Sequence, residues 1–121
     1  MIREDLREKR LFFDGGMGTL LQEKGLKAGE LPEIWNLEHS EEVISIHQAY
    51  IEAGSDIILT NTFGANALKF HDGVYSLEEI TKTAVAHGKE AVRRSAGGRN
   101  VYVALDVGPT GKLLKPMGDL A

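Results

Sequence analysis

The hydrophobic positions of the chain form three short runs, separated by two longer stretches of helical periodicity. The runs at 11–13 (LFF), 56–60 (DIILT) and 101–105 (VYVAL) are rich in β-branched and aromatic residues. Continuous apolar runs of this kind are typical of strands that are buried on both faces of a parallel sheet. Helices between consecutive strands give a right-handed β-α-β-α-β arrangement, so the pattern predicts an α/β fold.

Two long helices are predicted between these strands. The first has Ser40 as its N-cap and ends at Gly54, where glycine permits the left-handed backbone of a helix C-terminus. The second begins at Ser76, which together with Glu79 has the spacing of a capping box, and it ends at Gly97. These signals place each helix directly between two strands.

The chain between the first strand and Ser40 is less regular. A short helix is predicted over 20–25 and a long irregular connection over 26–39, in which Trp35 is expected to anchor the loop by packing. His47 lies near the apolar stripe of the next helix, and we expect a packed ring with a hydrogen-bonded nitrogen. The four histidines lie on separate segments without metal-ligand spacing, so they predict no metal site.

Each predicted strand is followed by polar residues or glycine. Asp14 follows the first strand, 61–62 (NT) the second, and Asp106 and Gly108 the third. The carboxyl ends of parallel strands meet at one edge of the sheet, where α/β proteins bind their ligands. The sequence therefore predicts a single ligand site at this edge.

The glycine-rich turn at 14–19 (DGGMGT) suits a zwitterionic ligand. Backbone amides of Gly16, Gly18 and Thr19 at the start of a helix can bind an anionic group such as a carboxylate. The carboxylate of Asp14 beside them could receive an ammonium group. Together they would suit a small amino acid.

Three other interpretations of the glycines compete with this one. A dinucleotide fingerprint requires glycine where the chain has Leu21, and an acidic residue about 20 positions on at the end of the second strand. A P-loop requires Ser or Thr after Lys112, and the chain has Leu113. A tight turn in which glycine serves backbone geometry alone stays open.

Composition narrows the class of protein further. The 121 residues suffice for one domain, and a net charge of −4 argues against a general affinity for nucleic acid or an anionic membrane surface. The charged N-terminus is unlike a secretory signal and no apolar run reaches the length of a membrane span. We therefore expect a cytoplasmic protein.

Four stretches resemble the homocysteine-binding domain of cobalamin-dependent methionine synthase. They are FDGGMGTLLQ (13–22), PEIWNL (32–37), IHQAYIEAGSDIILTNTFGAN (46–66) and ALDVGPTGKLLKPMGDL (104–120). Betaine-dependent and S-methylmethionine-dependent enzymes of the wider homocysteine S-methyltransferase family share the DGG and AG-D-I elements. The TNTFGAN and GPTG segments are closer to methionine synthase.

The resemblance implies a (β/α)8 barrel of roughly 300 residues, of which 1–121 is the N-terminal part with the first three βα units. It also implies that homocysteine binds at the carboxyl edge, with its carboxylate on the backbone amides of Gly18 and Thr19. The implied substrate-binding residues are Asp14, Gly15, Gly16, Met17, Gly18, Thr19, Asn61, Thr62, Phe63, Asp106 and Gly108.

The resemblance further implies two cofactors, a zinc ion held by three cysteines and methylcobalamin as methyl donor. The cobalamin and folate modules would belong to the same chain or to a partner chain. The sequence has no cysteine, so we expect the zinc ligands beyond residue 121 and no methyl transfer by these residues alone. An incomplete barrel is also expected to self-associate. The alternatives are a betaine- or S-methylmethionine-dependent homocysteine methyltransferase and a non-catalytic α/β module that binds an anion at the glycine turn.

Overall fold

The computed structural model describes residues 1–65, 75–108 and 115–118. In chain order the elements are helices α1 (Ile2–Glu8) and α2 (Gly18–Glu23), a 3-10 turn (Pro32–Ile34), helices α3 (Trp35–Glu38) and α4 (Ser40–Glu52), strand β1 (Ile57–Leu59), helix α5 (Leu77–Ser95) and strand β2 (Tyr102–Ala104). This order is that of an α/β protein. Parts of the predicted NTFGAN and GPTG segments lie outside the described residues.

The sheet is parallel, as predicted, but shorter than predicted. β1 pairs with β2 in register Ile58 to Val103, and each strand has three residues. The predicted first strand at 11–13 is wrong as a regular strand, because Phe13 makes only an isolated parallel bridge to Ile57. The amide of Leu59, which follows Ile57 as the next donor along β1, donates to the side chain of Asp14 instead of to a backbone carbonyl, so the ladder ends there.

The prediction that all three runs are buried on both faces is correct only for β1. Ile57 and Ile58 are buried, whereas the residues of β2 are half-buried. Phe12 and Phe13 are 63% and 60% exposed. The described chain therefore leaves much of the apolar surface beside β1 uncovered.

The helices follow the prediction with three corrections. Ser40 is not the N-cap of α4 but its first residue, and its hydroxyl donates to the carbonyl of Asn36. The connection over 26–39 is not irregular, because it contains the 3-10 turn and α3. The short helix α2 begins at Gly18 rather than at residue 20. At α5 the Ser76 hydroxyl accepts from the amide of Glu79, as a capping serine should.

Helix α4 forms the centre of the core because two of its faces are buried. One face meets α2 and α3 in a cluster composed of Leu21, Leu26, Trp35, Val43 and Ile46. The other meets the sheet and α5 in a cluster composed of Ile44, Ile51, Ile58, Ala91 and Ala96. Trp35 thus anchors its segment by packing, as predicted. No helix of the described chain combines the length and apolar character that crossing a bilayer requires.

The prediction of a hydrogen-bonded nitrogen at His47 is wrong. The side chain is fully buried on α4, and neither Nδ1 nor Nε2 has a hydrogen-bond partner among the described residues. Burial, with a smaller contribution from His87, lowers the pKa of His47 from 6.5 to about 4. The folded protein therefore keeps this ring neutral at pH values where the unfolded chain protonates it.

This difference predicts a loss of stability in acid that His47→Leu should remove. Between pH 6.5 and about 4 the unfolded chain binds the additional proton, so the free energy of unfolding falls as the pH falls, by roughly 3 kcal/mol over that interval. Urea unfolding at pH 8 and pH 5 measures it. Ile46 on the same helix supplies the control, since Ile46→Val changes buried volume without changing a titratable group and should keep the wild-type pH dependence. An identical pH dependence in His47→Leu would contradict the prediction.

Candidate functional site

Asp14 lies where the first apolar run meets the sheet, and only one of its two carboxylate oxygens accepts a hydrogen bond in the described structure. Its backbone amide donates to the carbonyl of Ile57 at 2.9 Å, and its Oδ2 accepts from the amide of Leu59 at 3.0 Å. Oδ1 is buried and has no hydrogen-bond partner in the part of the chain that the structure describes. Burial raises the pKa of Asp14, and the nearby carboxylate of Asp106 adds to this. A positively charged group close to this carboxylate would lower the pKa of Asp14 and so oppose the effects of burial and of Asp106.

Tyr50 of α4 fixes the glycine turn, a role that the sequence pattern did not reveal. Its hydroxyl donates to the carbonyl of Gly16 at 2.6 Å. A Cβ atom at Gly15 would lie 2.8 Å from the same hydroxyl oxygen. The sequence pattern places Tyr50 on the apolar face of its helix, and only its hydroxyl group signals a polar role. Glycine at position 15 is therefore explained by packing.

Packing does not explain why positions 16 and 18 are glycine (Gly16 and Gly18). Neither has a left-handed φ, and a Cβ atom at either position would meet no heavy atom within 4 Å. The interpretation that these glycines serve backbone geometry alone has no support at these two positions. Each leaves open space in front of the backbone, which is what a bound ligand requires.

The backbone amides of this turn are available as donors. Gly18 and Thr19 open helix α2, so their amides have no acceptor within the helix. Within the described chain, no amide from residue 15 to residue 20 donates to a backbone carbonyl outside the helices, and none donates to a side chain. The turn thus presents several unused donors beside the unused acceptor of Asp14.

A cavity of about 480 Å³ opens in front of this turn. The predicted site residues that line it are Asp14, Gly15, Gly16, Met17, Gly18, Asn61, Phe63 and Asp106. The cavity is also lined by residues that the sequence did not single out, namely Leu31, Pro32, Glu33, Leu59, Thr60 and Gly64. Residues from all three strand ends therefore lie around one space.

Three predicted residues do not line this cavity: Thr19, Thr62 and Gly108. The Thr62 hydroxyl donates to the carbonyl of Asp106 at 2.6 Å and lies 2.7 Å from the Thr60 hydroxyl, which ties two strand ends together. A Cβ atom at Gly108 would overlap the carbonyl oxygen of Phe63. In this structure Thr62 and Gly108 hold the edge of the sheet together.

Asn61 lines the cavity, but its side chain is engaged elsewhere. Its Nδ2 donates to the carbonyl of Pro32 at 2.8 Å and to Oδ1 of Asn36 at 3.0 Å. Asn36 in turn donates to the carbonyl of Asn61 at 2.9 Å. This pair of amides fixes the PEIWNL segment against the end of β1.

Glu33 is the buried acidic residue that sequence reasoning missed. It is 5% exposed, and its Oε1 accepts from the amide of Gly64 at 2.7 Å. Its Oε2 is buried and has no hydrogen-bond partner. The signal was a charged residue among the apolar Pro32, Ile34 and Trp35. The site thus has two carboxylate oxygens without partners, one on Asp14 and one on Glu33.

The residues present do not form a metal centre. The sequence contains no cysteine. Within the described ranges, no group of three or more histidine, aspartate and glutamate side chains is arranged to hold a metal ion.

Comparison with known proteins relates this arrangement to one family. The family described as homocysteine S-methyltransferase matches residues 11–120. A methionine synthase of Mycobacterium leprae is 31% identical, over 91% of this chain and 10% of its own length. The homocysteine methyltransferase MmuM of Escherichia coli has the same fold in its metallated form, with a TM-score of 0.76 and 21% identity over 91% of this chain and 42% of that one. Its oxidised form gives a TM-score of 0.73 at 23% identity, over 88% and 40% of the two chains.

Proposed function

Because the chain belongs to the homocysteine S-methyltransferase family, we propose that it binds homocysteine in the cavity in front of the glycine turn. It spans about a tenth of the methionine synthase it matches. We therefore propose that residues 1–121 are the N-terminal part of a larger (β/α)8 barrel, which would contain the first three βα units. The uncovered apolar surface at Phe12 and Phe13 supports this, since further strands would cover it.

One observation carries the proposal: unused donors and an unused acceptor lie side by side at the glycine turn. The amides of Gly18 and Thr19 would bind the carboxylate of homocysteine. Oδ1 of Asp14, which has no partner, would accept from its ammonium group. The open space at Gly16 would admit the ligand backbone. Each charged end of the amino acid then meets a complementary group.

Zinc does not fit the residues of this chain. Zinc sites that bind a thiolate use cysteine and histidine ligands in close groups, and the sequence has no cysteine. We therefore assign no step at the zinc ion or at cobalamin to these residues. In our proposal both cofactors belong to other parts of the enzyme, as do its cobalamin and folate modules. This part binds and orients homocysteine, in the cytoplasm.

The experiment that tests the proposal is a titration of the 15N-labelled protein with homocysteine. We expect amide shifts at Gly16, Gly18 and Thr19, because these donors would bind the carboxylate. Methyl transfer to homocysteine by the 121-residue chain alone is expected to be absent. An unchanged spectrum at millimolar homocysteine would contradict the proposed binding. Transfer of a labelled methyl group by this chain alone would contradict the proposal that methyl transfer requires other parts of the enzyme.

A second candidate function is a module that binds anions without a role in catalysis. The open amides of Gly18 and Thr19 favour it, since they would bind many carboxylates or a phosphate. The titration separates the two, because an anion-binding module would respond equally to homocysteine and to 4-mercaptobutanoate, which lacks the amino group. The methyl donor of the complete enzyme, whether cobalamin, betaine or S-methylmethionine, depends on residues other than these.

A further inference from the structure

We propose that Tyr50 is a positioning residue for the ligand, because its hydroxyl holds the carbonyl of Gly16 on the α4 side of the glycine turn. The inference rests on the proposed function and adds to it a residue that does not line the cavity. It begins from one contact, the hydrogen bond of 2.6 Å that the Tyr50 hydroxyl donates to the Gly16 carbonyl. This contact joins the last turn of α4 to the segment that is proposed to bind the carboxylate of homocysteine.

The glycine turn has few other contacts that fix its conformation. Gly16 and Gly18 have no Cβ atom, and the space beside each of them is open. Among the described residues, the bond to Tyr50 is the only hydrogen bond that Gly15 or Gly16 makes. Glycine permits many backbone conformations, so the peptide unit after position 16 could reorient at little cost if this bond were absent. Tyr50 therefore supplies a restraint that the local sequence does not.

The orientation of the Gly16 carbonyl matters because the proposed ligand group is negatively charged. In a planar trans peptide unit the carbonyl and the following amide point in opposite directions, so the bond to Tyr50 also fixes the direction of the Met17 amide. Gly16 and Met17 both line the cavity, whereas Tyr50 does not. A carbonyl oxygen turned toward the cavity would repel a carboxylate there. The hydrogen bond keeps the negative end of this peptide unit at Tyr50.

Tyr50 is itself held firmly, as a residue that orients a site must be. Its ring packs against both core clusters, the one that contains Trp35 and the one that contains Ile58. Burial, with a smaller contribution from the charge of Asp14, raises the pKa of the Tyr50 hydroxyl above its ordinary value. The hydroxyl therefore stays protonated at neutral pH and can donate to the Gly16 carbonyl.

The test compares Tyr50→Phe with the wild-type protein in NMR titrations with homocysteine and with 4-mercaptobutanoate. Phenylalanine keeps the packed ring and removes only the hydroxyl group. We expect both ligands to bind about tenfold more weakly, because both present a carboxylate to the turn. Tyr102→Phe is the control, since it removes a hydroxyl that donates to Asp5 outside the cavity. It should leave both affinities unchanged.

Two further measurements separate positioning from stability. In the absence of ligand, the backbone order parameters of Gly16 and Met17 should fall in Tyr50→Phe and keep their wild-type values in Tyr102→Phe. Replacement of Tyr50 by 4-aminophenylalanine restores a donor on the same ring, so it should recover most of the lost affinity. A residue that only filled space in the core would show neither effect.

The outcomes that would overturn the inference differ from those that would overturn the proposed function. A lowered Tm of Tyr50→Phe with unchanged affinities would show that Tyr50 only stabilises the fold, while the proposed function stands. A loss of affinity for homocysteine alone would mean that Tyr50 acts at the ammonium group through Asp14, which would also overturn the inference. Failure of the wild type to bind homocysteine would overturn the proposed function, and failure to bind either ligand would overturn both.

Discussion

Asp14→Asn is expected to weaken homocysteine binding by about 100-fold, which corresponds to roughly 3 kcal/mol. Asparagine retains an oxygen that can accept from the amide of Leu59, so the backbone geometry at the end of the first run should persist. The substitution removes the negative charge that would face the ammonium group. Calorimetric titration of both proteins measures the difference.

Two comparisons make this result specific. Asp5→Asn alters a carboxylate that accepts from the hydroxyl of Tyr102 and does not line the cavity, so its homocysteine affinity should equal that of the wild type. Binding of 4-mercaptobutanoate should change little in Asp14→Asn, because this ligand has no ammonium group. An equal loss for both ligands would mean that Asp14 acts only by shaping the turn.

Asn36→Leu is expected to have the largest effect on stability, a loss of about 4 kcal/mol. Asn36 is fully buried, and its side chain donates to the carbonyl of Asn61 at 2.9 Å and accepts from the Asn61 amide at 3.0 Å. It also donates to the carbonyl of Ile80 on α5 at 3.4 Å. Leucine has a similar volume but makes none of these hydrogen bonds. The Asn61 carbonyl would lack its partner in the core, at about 1–3 kcal/mol, and each of the other two lost bonds would cost about 1 kcal/mol.

Urea unfolding of Asn36→Leu beside Gln48→Leu tests this. The amide of Gln48 is partly buried and donates to the hydroxyl of Ser95 at 3.0 Å, so its loss should lower the free energy of unfolding by less than about 1 kcal/mol. The comparison separates the loss of a buried network from the loss of any side-chain amide. Similar small losses in the two variants would show that the Asn36 network contributes little.

The hydrogen bonds of Asn36 also connect the stability of the fold to the geometry of the candidate site. His87 of α5 lies with Nε2 2.6 Å from the carbonyl oxygen of Asn36, while Asn61 joins Asn36 to the end of β1. Helix α5 and the end of β1 therefore both contact Asn36 and fix the segment that carries Glu33. Partial loss of this network should weaken homocysteine binding even though Asn36 does not line the cavity.

The sequence determined the alternation of β1, β2 and the long helices, and it predicted where a ligand site would lie. Apolar runs and helical periodicity are local signals, so they predicted the parallel pairing of β1 and β2 and the helices α4 and α5. Polar strand ends share one edge by geometry alone. Asp14 and the glycine turn could therefore be named as site residues before any contact was known.

Only the tertiary structure decided what each side chain does there. Tyr50 and Glu33 reach the site from a helix face and from a connecting segment, across 34 and 31 residues of chain to Gly16 and Gly64, and no local pattern encodes such contacts. Asn61 and Thr62 were predicted at the site, yet their side chains are engaged in holding the strand ends. His47 is a further example, because helical spacing predicted that its side chain is buried but not that its ring nitrogens lack hydrogen bonds. Local sequence fixes conformation over a few residues, whereas hydrogen-bond satisfaction depends on neighbours brought together by folding.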